Sequence, residues 1–249
     1  MSKIEQYRQT LRTLQDWDEY LMRESGLPGP RANLELVQAA AEEGDEALFR
    51  RWLALTPDQA PTNSPQVFLA VCGAVGLGKV LAESKTEALG TLRALAMDPR
   101  WRIREGVAMA LQRLGDRDMH LLLREMGSWA QGKPLEQRAA AAALCEPRLL
   151  ARPEVASRVL DLLDGITASL SAIRDRRSEE FIALRKGLGY CWSVAVVACP
   201  DKGKALMEKW LASQDRDVQW IMKENLSKAR LARMDAGWVE GAKALLRRH

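Results

Sequence analysis

Two stretches of this chain carry the same pattern of residue classes, and that echo limits the fold more tightly than any other feature. Asp98 to Gly115, DPRWRIREGVAMALQRLG, returns in altered form at Asp217 to Ala229, DVQWIMKENLSKA. Counted from each Asp, Trp stands at plus three (Trp101, Trp220), an apolar residue at plus five (Ile103, Met222) and a cation at plus six (Arg104, Lys223). Glu follows at plus seven (Glu105, Glu224), a branched aliphatic at plus nine (Val107, Leu226) and Ala at plus twelve (Ala110, Ala229). Two weaker copies lie between, one with Leu135, Arg138 and Ala142, the other with Glu179, Ile182, Arg185 and Gly189. The cations at 104, 138, 185 and 223 stand 34, 47 and 38 residues apart. That is the period of arrays in which each unit is one helix pair. The apolar positions advance with helical periodicity, so Ile103, Val107, Ala110, Leu111 and Leu114 fall on one face that a neighbouring unit must cover.

An Asp six residues before an Arg or Lys, with an aliphatic ahead of the cation and an Ala after it, resembles the second helix of a HEAT repeat over roughly residues 84 to 247. The resemblance implies a ladder in which the Asp and the Arg of successive repeats hydrogen-bond. Asp98 with Arg104, Glu179 with Arg185 and Asp217 with Lys223 are the positions that match it. Gly132 stands at the acidic position of the copy around Arg138 and removes one rung.

The expected fold is therefore all-α, a right-handed α-solenoid of about six HEAT-like helix pairs. It forms one domain over 1–249, with capping helices over 1–55, a Pro-rich loop at 56–65 and repeats over 66–249. The pattern predicts helices over 2–24, 32–43, 45–55, 66–82, 86–97, 99–114, 117–131, 134–145, 153–175, 180–199, 201–212, 215–228 and 235–248, with Pro99 at a first helical position and Asp98 capping it. Apolar residues make up 47% of the chain but aromatics only 6%, a balance that favours helix over sheet.

The formal charge of +4, from 37 basic and 33 acidic residues, neither demands nor excludes a nucleic-acid partner. The N-terminus is too polar for a signal peptide and no apolar run approaches about 18 residues, so no membrane association and a cytoplasmic location are expected. Cys72, Cys145, Cys191 and Cys199 form no CxxC pair and read as buried free thiols. With only His120 and His249, a His-based metal or catalytic site lacks ligands, so no metal and no cofactor are expected. GAVGLGKV at 73–80 has the Gly73, Gly78 and Lys79 spacing of a phosphate-binding loop, but Val80 stands where Mg²⁺ binding needs a hydroxyl. It reads as a packed helix. Asp215 with Asp217 and Glu179 with Glu180 fit helix starts. Trp101 and Trp220 are expected to wedge between adjacent helices.

These features favour a non-catalytic scaffold that binds a macromolecule, a protein ahead of a nucleic acid, on an inner curved face. The alternative is a nucleic-acid binder related to HEAT-like alkylpurine DNA glycosylases, since LRKGLGY at 184–190 is similar to a repeat helix of that family. That resemblance implies a groove with an acid, an Arg and aromatics, matched here by Glu105, Arg138, Trp101 and Tyr190. Arg100, Arg102, Arg113, Arg174, Arg176, Arg177 and Lys186 would then meet phosphates.

Overall fold

The computed structural model describes residues 1–83 and 87–246. The start expected for the helix over 86–97, the end of the one over 235–248, and His249 lie outside the described residues. Every regular element among the described residues is helical. The chain groups into two compact units, one over Met1–Asp118 and one from Met119 onward. The Pro-rich loop at 56–65 lies inside the first unit.

The first unit contains α1 (Lys3–Thr13), α2 (Asp18–Glu24), α3 (Leu34–Glu43), α4 (Glu46–Leu53), α5 (Pro65–Ala82), α6 (Ala88–Leu95) and α7 (Trp101–Arg117). α1, α3, α5 and α7 pack side by side in chain order, and α2, α4 and α6 all pack on α5. The second unit contains α8 (Met119–Trp129), α9 (Pro134–Leu144), α10 (Pro153–Ser169), α11 (Glu179–Ala198), α12 (Pro200–Leu211), α13 (Arg216–Leu226), α14 (Ala229–Met234) and α15 (Ala236–Leu246). There α9, α11, α13 and α15 form the row, and α10, α12 and α14 pack on α11. Each unit is thus a row of alternate helices with one long helix at its hub.

A helix covered on all sides must be apolar on all sides. Every residue of α5 from Val67 to Gly78 is buried, and α11 buries Leu188, Gly189 and the run from Cys191 to Val196. Both hubs reach the length and apolarity of a membrane-crossing helix, contrary to the expectation that no apolar run comes near that length. In α5, 78% of the apolar stretch is packed inside the protein, and in α11, 56%. The apolarity of α5 answers to its neighbours α2, α3, α4, α6 and α7.

The glycines of the phosphate-loop lookalike have a packing cause. A Cβ on Gly78 would stand 2.7 Å from the Ala110 carbonyl oxygen of α7, and one on Gly76 would enter the Phe49 ring of α4. Glycine lets three helices approach at this point. Lys79 Nζ donates to the carbonyls of Glu42 (2.7 Å) and Gly44 (3.0 Å), closing the C-terminal end of α3.

Several boundaries differ from expectation. The single helix expected over 2–24 is two, because Leu14 turns extended and the Asp16 carboxylate accepts from the Asp18 N–H. Asp18 Oδ1 in turn accepts from Trp52 Nε1 at 2.7 Å and from Arg51 at 2.8 Å, fixing where α2 starts. α14 is an extra short helix between the expected 215–228 and 235–248.

α7 begins at Trp101, with Arg100 as its N-cap residue, so neither Pro99 nor Asp98 holds the expected place. The proline after it keeps Asp98 out of helical geometry, and its carboxylate turns to the Arg100 N–H and guanidinium instead of capping α7. In the echoing segment no proline intervenes: Asp215 caps α13 and Asp217 lies inside its first turn. The two Trp residues therefore sit at different heights on their helices. The buried face still obeys the echo: Ile103 and Met222 are each fully buried, as are Val107 and Leu226 to within 2%.

α1 is held to α3 by one carboxylate. Glu43 accepts from Arg12 Nε and Nη2 (2.8 and 2.7 Å) and from Arg8 Nε (2.6 Å). The Arg12 and Arg8 guanidiniums hold this carboxyl well below the usual range, at about 2. Because the folded value is depressed, the ion pairs contribute fully above the ordinary carboxylate pKa and are lost as pH falls towards about 2. Measured against the intrinsic exchange rate at each pH, protection of the α1 amides is expected to fall over that acid window before the hub α5 opens. A Glu43→Gln variant should show the lower protection already at neutral pH; protection of α1 indifferent to both changes would refute this anchoring role.

Candidate functional site

An open, largely apolar recess lies within the first unit, where α3, α5 and α7 meet the loop at 25–33. It has a volume of about 500 Å³ and is lined by Leu27, Phe68, Val71, Trp101 and Met109, with Arg31, Glu35, Arg102 and Glu105 as its charged members. Its loop wall is stiffened from within. Gly26 takes a positive φ of 75°, where a side chain would be strained. Ser25 Oγ donates to the Met22 carbonyl (2.7 Å) and accepts from Leu27 N–H (3.0 Å). Asn33 caps α3 through the Leu36 N–H and donates to Tyr7 Oη (2.9 Å) and the Glu24 carbonyl (3.0 Å).

The opposite wall follows from the entry into α7. Arg100 points inward: its guanidinium pairs with Asp98 at 2.8 Å, both side chains under 10% exposed, and donates to the carbonyls of Leu55 (2.9 Å) and Ala60 (3.4 Å). Arg102 also points inward, donating from Nε to the Thr62 carbonyl (3.0 Å) and from Nη2 to the Gly29 carbonyl (2.8 Å) and Asn63 Oδ1 (3.4 Å). These two cations pin the Pro-rich loop at 56–65. Trp101, between them, is left 42% exposed on the recess wall, with the Arg102 guanidinium 4.3 Å from its ring centroid. The expectation that Trp101 wedges between helices is therefore corrected. Burial pushes the Arg102 guanidinium below its ordinary pKa, and all three of its acceptors are neutral oxygens.

Trp220 is half-buried and its ring lies against Gly189 of α11, where a Cβ would come within 3.0 Å of Cζ3. The Arg185 guanidinium covers it at 4.6 Å. The fully buried tryptophans are Trp52, Trp129 and Trp192, which no repeat pattern marked out.

Of the ladder positions, Arg185 reaches the Asp of the following row helix, Asp217 at 2.6 Å, the pairing between successive units that was expected. Asp217 also binds Arg176 at 3.0 Å, and Arg176 reaches Asp215 at 2.9 Å. Burial raises the Asp215 carboxyl, but bonds from Arg176 and from the N–H groups of Asp217 and Val218 outweigh it, leaving a net lowering. Arg104 donates to the backbone oxygens of Asp98 (2.6 Å) and Pro99 (3.0 Å), locking its own turn instead of bridging helices through the Asp98 carboxylate.

The remaining candidates divide between the units. Glu105 is exposed on the recess wall beside Trp101. Arg113 binds Glu42 (2.6 Å) and Gln38 (2.5 Å) on α3. In the second unit the Arg138 side chain runs beside Gly187. Tyr190 is 46% exposed and accepts from Arg230 at 2.6 Å, with the guanidinium 4.6 Å from its ring centroid. Arg174, Arg177 and Lys186 are exposed. Cys72, Cys145 and Cys191 are buried free thiols as expected, while Cys199 is half-buried between α11 and α12. Burial, with the Cys191 thiol beside it, pushes Cys145 well up.

Comparison with known proteins adds no relative. No family model, no curated protein and no solved structure matches this chain. Two features that sequence reading missed are nevertheless well built: the recess, and the buried Asn225. Asn225 Oδ1 accepts from the Ser193 N–H (2.7 Å), and its Nδ2 donates to the carbonyls of Leu188 (2.9 Å) and Ile221 (2.7 Å). A signal for it did exist. At plus eight the two echoing segments carry Gly106 and Asn225, both facing the hub helix, and only the second can bond to it.

Proposed function

We propose that the stacked rows are HEAT-like repeats of a right-handed α-solenoid of about six helix pairs, and that the chain is a non-catalytic binding protein whose row helices present an extended surface to a macromolecular partner, a protein before a nucleic acid. The observation that carries this reading is the same row plan in both units, joined in the second by the Arg185–Asp217 pair between consecutive row helices. Helices stacked in this way gain function from continuous surface rather than from an enclosed site.

The fate of the basic residues weighs against nucleic acid. Arg100, Arg102, Arg113 and Arg176 are held by internal acceptors, which leaves Arg174, Arg177 and Lys186 as exposed members of the set. Three phosphate contacts give only weak, salt-sensitive attraction. The glycosylase-like alternative takes Trp101 and Glu105 from the first unit and Arg138 and Tyr190 from the second, and the Tyr190 hydroxyl is already engaged by Arg230.

Two measurements test the reading together. Anisotropy of a labelled DNA duplex at low salt should show no saturable binding. A photo-crosslinking residue in place of Tyr190 should capture a protein whose purified form then binds the chain directly. Saturable duplex binding that weakens with salt, and weakens further when Arg174 and Arg177 are replaced, would overturn it.

A further inference from the structure

The recess in the first unit differs from ordinary repeat packing in its charge. Arg102 is 5% exposed, so it is the one buried charge on the lining, whereas Arg31, Glu35 and Glu105 are exposed towards water. Its hydrogen-bond partners are three neutral oxygens, and a guanidinium buried without a counter-ion is unusual because paired burial is the rule. Those bonds leave from Nε and Nη2; Nη1 takes no part in them. Three fixed acceptors hold the fork in place, so an incoming anion would meet a preorganised donor.

The rest of the lining is apolar. Leu27, Phe68, Val71 and Met109 supply an oily wall, and Leu34 and Trp101 stay 52% and 42% exposed at its edge, two of the few large apolar side chains open to water among the described residues. A volume of about 500 Å³ suits a small molecule rather than a single buried side chain.

We propose that this recess is a binding site for a small organic acid with an apolar body, a carboxylate that meets Arg102 while its chain or ring lies against Phe68, Val71 and the open face of Trp101. It goes beyond the scaffold reading and does not depend on it, since it rests on one unit alone. The neutral acceptors that fix Arg102 supply position without neutralising it, and the ligand supplies the missing negative charge.

Decanoate, decan-1-ol and decylamine form a test series of equal chain length and different head charge. Titrated into the full chain carrying ¹⁵N label, decanoate should bind at one site, with shifts centred on the Trp101 indole and the amides of Leu34, Phe68 and Met109. Decan-1-ol should bind about tenfold more weakly, the factor that one charge-assisted bond supplies, and decylamine more weakly still. Leu34→Glu, a change at an exposed position of the rim, should weaken decanoate about tenfold with the melting temperature unchanged. Arg102→Met should remove the preference for decanoate over decan-1-ol; if that variant fails to fold, the head-group series on the natural chain decides alone. Equal affinity for the acid and the alcohol, or shifts spread over the surface, would overturn the proposal. So would tighter binding of a short peptide ending in leucine, which would give the recess to a chain terminus.

Discussion

Replacing Asn225 with leucine is expected to destabilise the second unit by about 3–5 kcal/mol, far more than an ordinary polar-to-apolar change. The side chain is fully buried, yet it is nearly isosteric with leucine, so the loss is in hydrogen bonding rather than volume. Its amide bonds to the Ser193 N–H and the Leu188 carbonyl in the middle of α11, and to the Ile221 carbonyl on its own helix. Leucine would leave the two α11 groups facing an apolar side chain, and each buried backbone group without its partner costs about 1–3 kcal/mol. Denaturant melts should report the loss, with amide exchange at Ser193 accelerating first. Lys223→Gln on the exposed side of the same helix should stay within about 0.5 kcal/mol. A loss below about 1 kcal/mol for Asn225→Leu would mean that α11 satisfies these groups without the clamp.

Arg100→Leu should destabilise the first unit by about 3–5 kcal/mol, the range for breaking a buried ion pair from one side. The Asp98 carboxylate, 9% exposed, would lose its counter-ion, and the carbonyls of Leu55 and Ala60 would lose their donor. The loop at 56–65 should then become the first site of proteolytic cleavage. Because the penalty is mostly the stranded carboxylate, adding Asp98→Asn should recover a large part of it, so the double variant would be more stable than the sum of the two single changes implies. Strict additivity, or an unchanged cleavage pattern, would show that the pair does not anchor the loop.

How much of this was legible in the sequence depends on whether the residue in question acts along its own helix or across to another. Helical periodicity placed most of the helices and the buried stripe of Ile103, Val107, Ala110 and Leu111, since a stripe is a local property of one helix. The same local reasoning explained GAVGLGKV as packed helix, which Gly78 against Ala110 bears out. It failed at Asp98, which reads as a cap and is a buried ion-pair partner, because the Arg100 guanidinium that takes its carboxylate is turned inward by the carbonyls of Leu55 and Ala60, 45 and 40 residues away. It failed again at Trp101, whose sequence twin Trp220 sits higher on its helix and covers a glycine. The recess was not visible at all: its lining comes from residues 27 to 109, and no pattern within one segment records that they converge.

The chain by itself determined that it would be helical, and that its helices would carry one apolar face for a neighbour to cover, because residue spacing and side-chain chemistry act within a few turns. Only the tertiary structure decided which helices became hubs, that Arg102 would be buried among neutral oxygens, and that Asn225 would reach into α11. Those outcomes depend on close approach between segments far apart in the chain, 32 residues from Asn225 to Ser193 and 73 from Arg102 to Gly29. Packing and unmet hydrogen bonds set their energies, and both arise only once the helices meet.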